Sequence, residues 1–248
     1  MTANPEYQII YGRQPVTELL RSNYRVLSIY IAHDSSGKIV NQILRLAERK
    51  NIPIKTIPKN DIQKLTGPVV HQGIAAKAEA LHLNDQIELF SFIRNIENPF
   101  LLIMDQVQDP HNMGAIIRTA EIAGVNAIIL PEKGSAQLNA TVAKTSAGAL
   151  FHLPIFQVND LYTAIDSLNG TGINTWALMP GSEKSMYDTN LKKPLALVIG
   201  SEGEGVRKNI AKICTGKITI PQFGKIESLN ASVASAVVLY EVVRQRKS

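Results

Sequence analysis

The sequence predicts an α/β protein in two parts: a small α/β unit, then a larger one built on a mostly parallel sheet covered on both faces. Three observations carry that prediction. Short apolar runs alternate with helical segments through the second part, the pattern of strands buried on both sides. The excess positive charge is confined to the first third: residues 1–80 hold 11 Lys and Arg against 6 Asp and Glu, while residues 81–248 hold 15 of each. A chain of 248 residues with 45% hydrophobic content can also bury one substantial core or two modest ones.

In the first part, RVLSIYIA (25–32) reads as a strand and KIVNQILRLAERKN (38–51) as an amphipathic helix. IPIKTIP (52–58) and HQGIAAKAEA (71–80) read as further strands. LHLNDQIELFSFIRNIENPF (81–100) reads as a connecting stretch with a short helix. The resulting division is a first domain over 1–78, a linker with a short helix over 79–98, and a second domain over 99–248. Strands in the second domain are expected at FLLIMD (100–105), NAIILP (126–131), INTWALMP (173–180), LALVIG (195–200) and KITIP (217–221). From Asn230 to Arg246 a helix is apolar on almost every side until Glu241 and Arg244, so burial against the sheet or a partner is expected.

Several function classes are excluded early. The single Cys214 allows neither an internal disulfide nor a cysteine zinc cluster and is expected to be a buried structural thiol. No run approaches the roughly 20 apolar residues that span a bilayer, and the N-terminus lacks a secretory layout, so a cytoplasmic protein without membrane contact is expected. His71, His111 and His152 lie too far apart in sequence context to suggest a metal set. Trp176, inside a strand run, is expected in the core. The basic first domain suits a polyanionic partner, because phosphate contacts release counterions. Arg13, beside Gly12, is a candidate contact there.

Ligands of parallel sheets bind beyond the carboxyl ends of the strands, and three strand-ending loops are chemically loaded. In DQVQDPHNMGAIIRTAEIAG (105–124), Asn112 can cap a helix and Arg118 lies about one and a half turns further on. GSEGEGV (200–206) invites a dinucleotide reading. It fails on spacing, and Glu202 and Glu204 would repel a pyrophosphate; a cationic or neutral ligand suits it better. The third loop, IPQFGKIESLN (220–230), puts Ser228 and Asn230 beside Glu227 at the mouth of the apolar helix. One cap would be enough for that helix, so at least one of these side chains is expected to reach a ligand.

Together DPHNMGAIIRTAEIAG, LVIGSEGEG and IPQFGKIESLNASVASAVVLYE, in that order, resemble the SpoU, or TrmH-like, family of RNA ribose methyltransferases within the SPOUT superfamily. ATVAKTSAGALFHLPIFQV (140–158) looks like the family's segment between its first two motifs. IIYGRQPVTELLR and HQGIAAKAEA resemble the ribosomal-protein-like RNA-binding domain fused to a subset that methylates a guanosine ribose in bacterial 23S ribosomal RNA. The resemblance implies a deep trefoil knot, against the general rarity of knots, and a homodimer formed through the knot region. It implies S-adenosyl-L-methionine as cofactor, contacted through backbone at Gly200, Ile220 and Leu229. It further implies catalytic positions at Arg118, Asn112, Glu202, Ser228 and Asn230, with Asn112, Asn230 and Glu202 orienting Arg118. A guanidinium titrates at roughly 12.5 or above, so holding a phosphate and stabilising alkoxide charge is a less demanding role for Arg118 than general base. The rival readings are a transfer-RNA ribose methyltransferase, a non-catalytic RNA-binding module, and an NAD-dependent dehydrogenase that lacks its glycine fingerprint.

Overall fold

The computed structural model describes residues 7–81, 83–226 and 228–247, so Glu227 lies outside the described residues. Two units emerge. The first begins with β1 (Tyr7–Tyr11), α1 (Arg13–Arg21), β2 (Val26–Ala32), α2 (Lys38–Arg49), β3 (Ile54–Ile57), α3 (Lys59–Thr66) and β4 (Ile74–Glu79). Its four strands order as β1-β4-β2-β3, with only β2 and β3 parallel. In α1, Val16, Leu19 and Leu20 recur at helical spacing and are fully buried, the stripe that docks a surface helix.

The second unit continues with α4 (Gln86–Ile93), β5 (Phe100–Met104), α5 (Pro110–Ile122) and β6 (Ala127–Pro131). The chain then returns to the first unit over residues 138–152, as α6 (Ala140–Thr145) and a 3-10 turn at Ala149–Phe151. There Phe151 meets Tyr24 edge-on at 5.5 Å, and Ala140 packs on the cluster of Tyr11, Ala32, Ile62 and Ala75. β7 (Ile155–Val158), α7 (Leu161–Gly170), β8 (Asn174–Leu178), β9 (Leu195–Ile199), α8 (Lys208–Ile213), β10 (Gly216–Ile218) and α9 (Ala231–Lys247) complete the second unit.

Its sheet is six-stranded, ordered β10-β8-β9-β5-β6-β7 and parallel at every pairing. Every residue of β5, β6 and β9 is buried, which is why these strands read as unbroken apolar runs. Two details depart from the sequence reading. The stretch 79–98 is more than a linker: α4 is fastened by a capping box between Asp85 and Glu88, and Leu89 and Ile93, one turn apart, enter the core beside Phe156. The helix at 231–247 is not buried all round, since Val233 and Tyr240 are half exposed while Glu241 is buried. Glu241 accepts 2.8 Å bonds from Arg244 Nε and Nη2 and from Gln245 Nε2, so the charge is carried inward with its partners. Those bonds hold its carboxyl below the usual range against the opposing pull of burial.

Candidate functional site

Strand order reverses at β5, with β6 and β7 on one side and β9 and β8 on the other, and a crevice forms beyond the carboxyl ends of such strands. The loops after β5, β9 and β10 converge there. Asp105, the first residue past β5, is fully buried. Its backbone N–H donates to Ile199 O at 2.7 Å. Its carboxylate accepts from Arg207 N at 2.9 Å and Nε at 2.8 Å, with Nη2 also at 2.8 Å. Arg207 closes the 200–206 loop and leads into α8. One buried carboxylate therefore ties the ends of two adjacent strands to the loop that follows the second.

That loop turns back on itself. Ser201 and Gly205 exchange backbone hydrogen bonds, with Gly203 at φ 96° and Gly205 at φ 68°, values that favour glycine. A Cβ on Gly200 would overlap the backbone of Gly205 and Val206. The close approach therefore requires glycine at 200.

Gly200, Ile220 and Leu229, the three expected cofactor contacts, line one cleft together with Glu202 and Ser228. Leu178, Met179 and Pro180, at the end of β8, also line it. The sequence reading missed them as site residues, although their place past a strand end was the available signal. Among the described residues the cleft lining includes two carboxylates, Glu202 and Glu204, and no Lys or Arg. A sulfonium fits that charge and a pyrophosphate does not. The glycines of the turn put main chain rather than bulky side chains at the cleft wall, so the residues present fit S-adenosylmethionine.

At the mouth stand three of the expected catalytic residues, joined to each other. Asn112 Nδ2 donates to Glu202 Oε2 at 3.0 Å; Asn230 Nδ2 donates to Glu202 Oε1 at 2.7 Å and to Asn112 Oδ1 at 3.0 Å. Both carboxylate oxygens are thus held by amides. Asn230 also caps α9, its Oδ1 accepting from Ser232 N at 2.9 Å and Ser232 Oγ at 2.6 Å.

Asn112 is not the cap of α5. Asp109 takes that position, accepting from His111 N and Asn112 N, with Pro110 starting the helix. Asp109 has the better claim because Pro110 pre-sets the first helical φ just behind it. The Asn112 side chain is thereby released toward Glu202. Arg118, six residues on, lies about 120° around the helix from Asn112; it is exposed, and Asn112 is buried. Among the described residues Arg118 makes no hydrogen bond or ion pair, so Asn112, Asn230 and Glu202 orient one another rather than Arg118 within one chain.

Trp176 is half-buried in β8 with its ring against Gly216. Cys214 donates its thiol to Ile210 O at 3.2 Å, and burial pushes the thiol up to about 11, where it stays protonated and inert. In the first unit, Arg13 is fastened to the turn at Gln72: its N donates to Gln72 Oε1 at 3.1 Å and its Nε to Gln72 O at 3.3 Å. Lys144 Nζ donates to the same Oε1 at 2.8 Å. Among the described residues no group of three His, Cys, Asp or Glu could hold a metal ion, and no helix is long and apolar enough to cross a membrane.

Comparison with known proteins matches two family models. The SpoU rRNA Methylase family covers residues 99–240, and the RNA 2'-O ribose methyltransferase substrate binding family covers residues 9–83. The 23S rRNA (guanosine-2'-O-)-methyltransferase RlmB of Pectobacterium atrosepticum is 39% identical over 240 residues, 96% of this chain and 98% of that protein. The protein of the same name from Photorhabdus laumondii is 36% identical over 242 residues, 97% and 99% of the two chains. The crystal structure of the SpoU methyltransferase AviRb from Streptomyces viridochromogenes, in complex with AdoMet, superposes with a TM-score of 0.81 at 22% identity, over 98% of this chain and 91% of that one. The likeness to AviRb is one of fold.

Proposed function

The chain belongs to the SpoU rRNA methylase family and is an S-adenosylmethionine-dependent RNA ribose 2′-O-methyltransferase; we propose that its target is a guanosine of bacterial 23S ribosomal RNA. The observation that carries the reading is the cleft itself, where, among the described residues, Gly200, Ile220 and Leu229 meet two carboxylates and no cation. Bound S-adenosylmethionine supplies an electrophilic methyl group on a sulfonium. Gly200, Ile220 and Leu229 bind the cofactor through main-chain groups. Glu202, held by Asn112 and Asn230, would offer its carboxylate to the cationic cofactor. Ser228 hydrogen-bonds the ribose or its phosphate.

Arg118 holds the adjoining phosphate and stabilises the negative charge that develops on the 2′-oxygen as its proton passes to solvent. Its exposure and its distance round the helix from Asn112 support a role across a homodimer, each subunit's Arg118 completing the other's site. The half-exposed Val233 and Tyr240 on α9, with Phe223 98% and Ile226 81% exposed nearby, support a dimer interface in this region. Residues 1–78 serve as the RNA-binding domain, with Arg13 facing RNA and Lys144 added to that face by the 138–152 segment that returns to the first unit, and the rest of 99–248 serves as the methyltransferase domain in a cytoplasmic enzyme.

The test is methyl transfer from labelled S-adenosylmethionine to total ribosomal RNA from a strain lacking this protein, with 2′-O-methyl mapping and Arg118→Ala as control. One new methylated guanosine in 23S RNA, absent with the variant, is expected. Labelling of transfer RNA instead would overturn the substrate, and no transfer to any RNA would overturn the enzyme.

A further inference from the structure

A groove of about 720 Å³ runs beside the cofactor cleft, sharing Met179 and Pro180 with it as a common wall. Three of its lining residues are Lys184, Lys212 and Lys217, against one acid, Glu183. All four side chains are exposed, and none of the three lysines forms an ion pair among the described residues. The concentration is local, because residues 81–248 as a whole carry equal numbers of acidic and basic residues. Neutral overall, this part of the chain nevertheless gathers three cations at one concavity next to its reactive site.

The lysines stand on ordered backbone. The loop carrying Lys184 is stitched to the chain past β10, with Thr219 N donating to Lys184 O at 2.9 Å and Met186 N to Thr219 O at 3.0 Å. The Lys184 ammonium lies 5.0 Å above the Trp176 ring, a contact that restrains a long side chain. Lys217 sits on β10, the edge of the sheet. A lysine there also discourages strand addition, but that purpose needs neither Lys184 nor Lys212, which sit on a loop and on the last turn of α8. A neutral or cationic occupant gains nothing from three unpaired ammonium groups, whereas the phosphates of a nucleic-acid strand gain from each.

We propose that this groove holds the phosphate backbone of the substrate RNA flanking the methylated nucleotide, giving the methyltransferase unit an RNA contact of its own. The proposal rests on the reading of the chain as an RNA methyltransferase. The test measures binding of the full chain to an unmodified 23S ribosomal RNA transcript across a salt series, for wild type and for the combined variant Lys184→Gln, Lys212→Gln, Lys217→Gln. Titration with S-adenosylmethionine is the control for an intact cleft.

Loss of three phosphate contacts makes the log–log salt dependence about 2 units shallower, so that between 50 and 200 mM salt wild type loses about twentyfold more affinity than the variant. Cofactor affinity stays unchanged. As a single-site companion, Glu183→Gln removes the one opposing charge and tightens RNA binding. Equal affinities and slopes for wild type and both variants would overturn the groove while leaving the enzyme reading intact. Wild type that neither binds nor methylates RNA would overturn that reading and the groove with it. A difference seen with ribosomal particles but not with naked RNA would reassign the groove to a ribosomal protein.

Discussion

Replacing Asp105 with Asn keeps the shape of a fully buried side chain and removes its charge. In the native structure that carboxylate accepts from the Arg207 backbone N–H and from its guanidinium at 2.8–2.9 Å. The amide of the variant offers one acceptor where three donors converge. Severing a buried ion pair from one side costs about 3–5 kcal/mol, and the Arg207 side chain is 36% exposed, which places this case near 3 kcal/mol because water recovers part of the guanidinium. For a unit of this size the loss lowers Tm by about 6–12 °C. Since Arg207 anchors the end of the 200–206 loop, cofactor affinity falls as well, and kcat recovers at saturating cofactor while KM does not. Thermal unfolding paired with calorimetric titration of S-adenosylmethionine checks both. A variant with wild-type Tm and wild-type affinity would refute the claim that this buried carboxylate shapes the cleft.

Other expectations follow from single contacts. Gly200→Ala drives a methyl group into Gly205 and Val206 and abolishes cofactor binding by calorimetry. Asn230→Ala loses the α9 cap, about 1 kcal/mol of stability, and also releases Glu202 Oε1, leaving the carboxylate held by Asn112 alone, so activity falls at least tenfold and more than the stability loss accounts for; a chemical melt run beside a methyl-transfer assay separates the two. Mixed dimers of Arg118→Ala with Gly200→Ala regain part of wild-type activity if Arg118 works across the interface, and rate measurements at varied mixing ratios that show no recovery would place Arg118 in its own subunit's site. His71 is buried, its Nδ1 accepting from Gly73 N at 3.1 Å, and burial, with a smaller push from Lys59, lowers its pKa. The unfolded chain therefore binds more protons below the usual value of roughly 6.5, and stability drops as pH falls from there toward the lower folded value. His71→Gln flattens the Tm profile over that window.

Much of the fold can be read directly from the chain. Strands β5, β6 and β9 announce themselves as unbroken apolar runs because both faces of the sheet are covered there, β8 and β10 as short runs with partly exposed residues, and the uneven charge separates a basic first domain from a neutral second one. β1, α1, α3 and β7 escape a reading based on periodicity. β7, for example, is four residues at the sheet edge with a partly exposed Gln157, too short to show alternation. Residue types at the three loops also point to a donor-and-acceptor site for a ligand without negative charge.

What the chain does not state is which groups meet. Asn112, Glu202 and Asn230 are separated by 90, 28 and 118 positions pairwise, and Asp105 and Arg207 by 102. Such pairings are set by strand order and loop closure, which no local pattern encodes. The phase of a helix acts in the same way: once Asp109 and Pro110 fix where α5 begins, Asn112 turns inward and Arg118, about 120° further round, turns outward. Residues 138–152 join the first unit for a similar reason, since the aromatic and apolar surfaces that receive Phe151 and Ala140 exist only after residues 7–81 have folded.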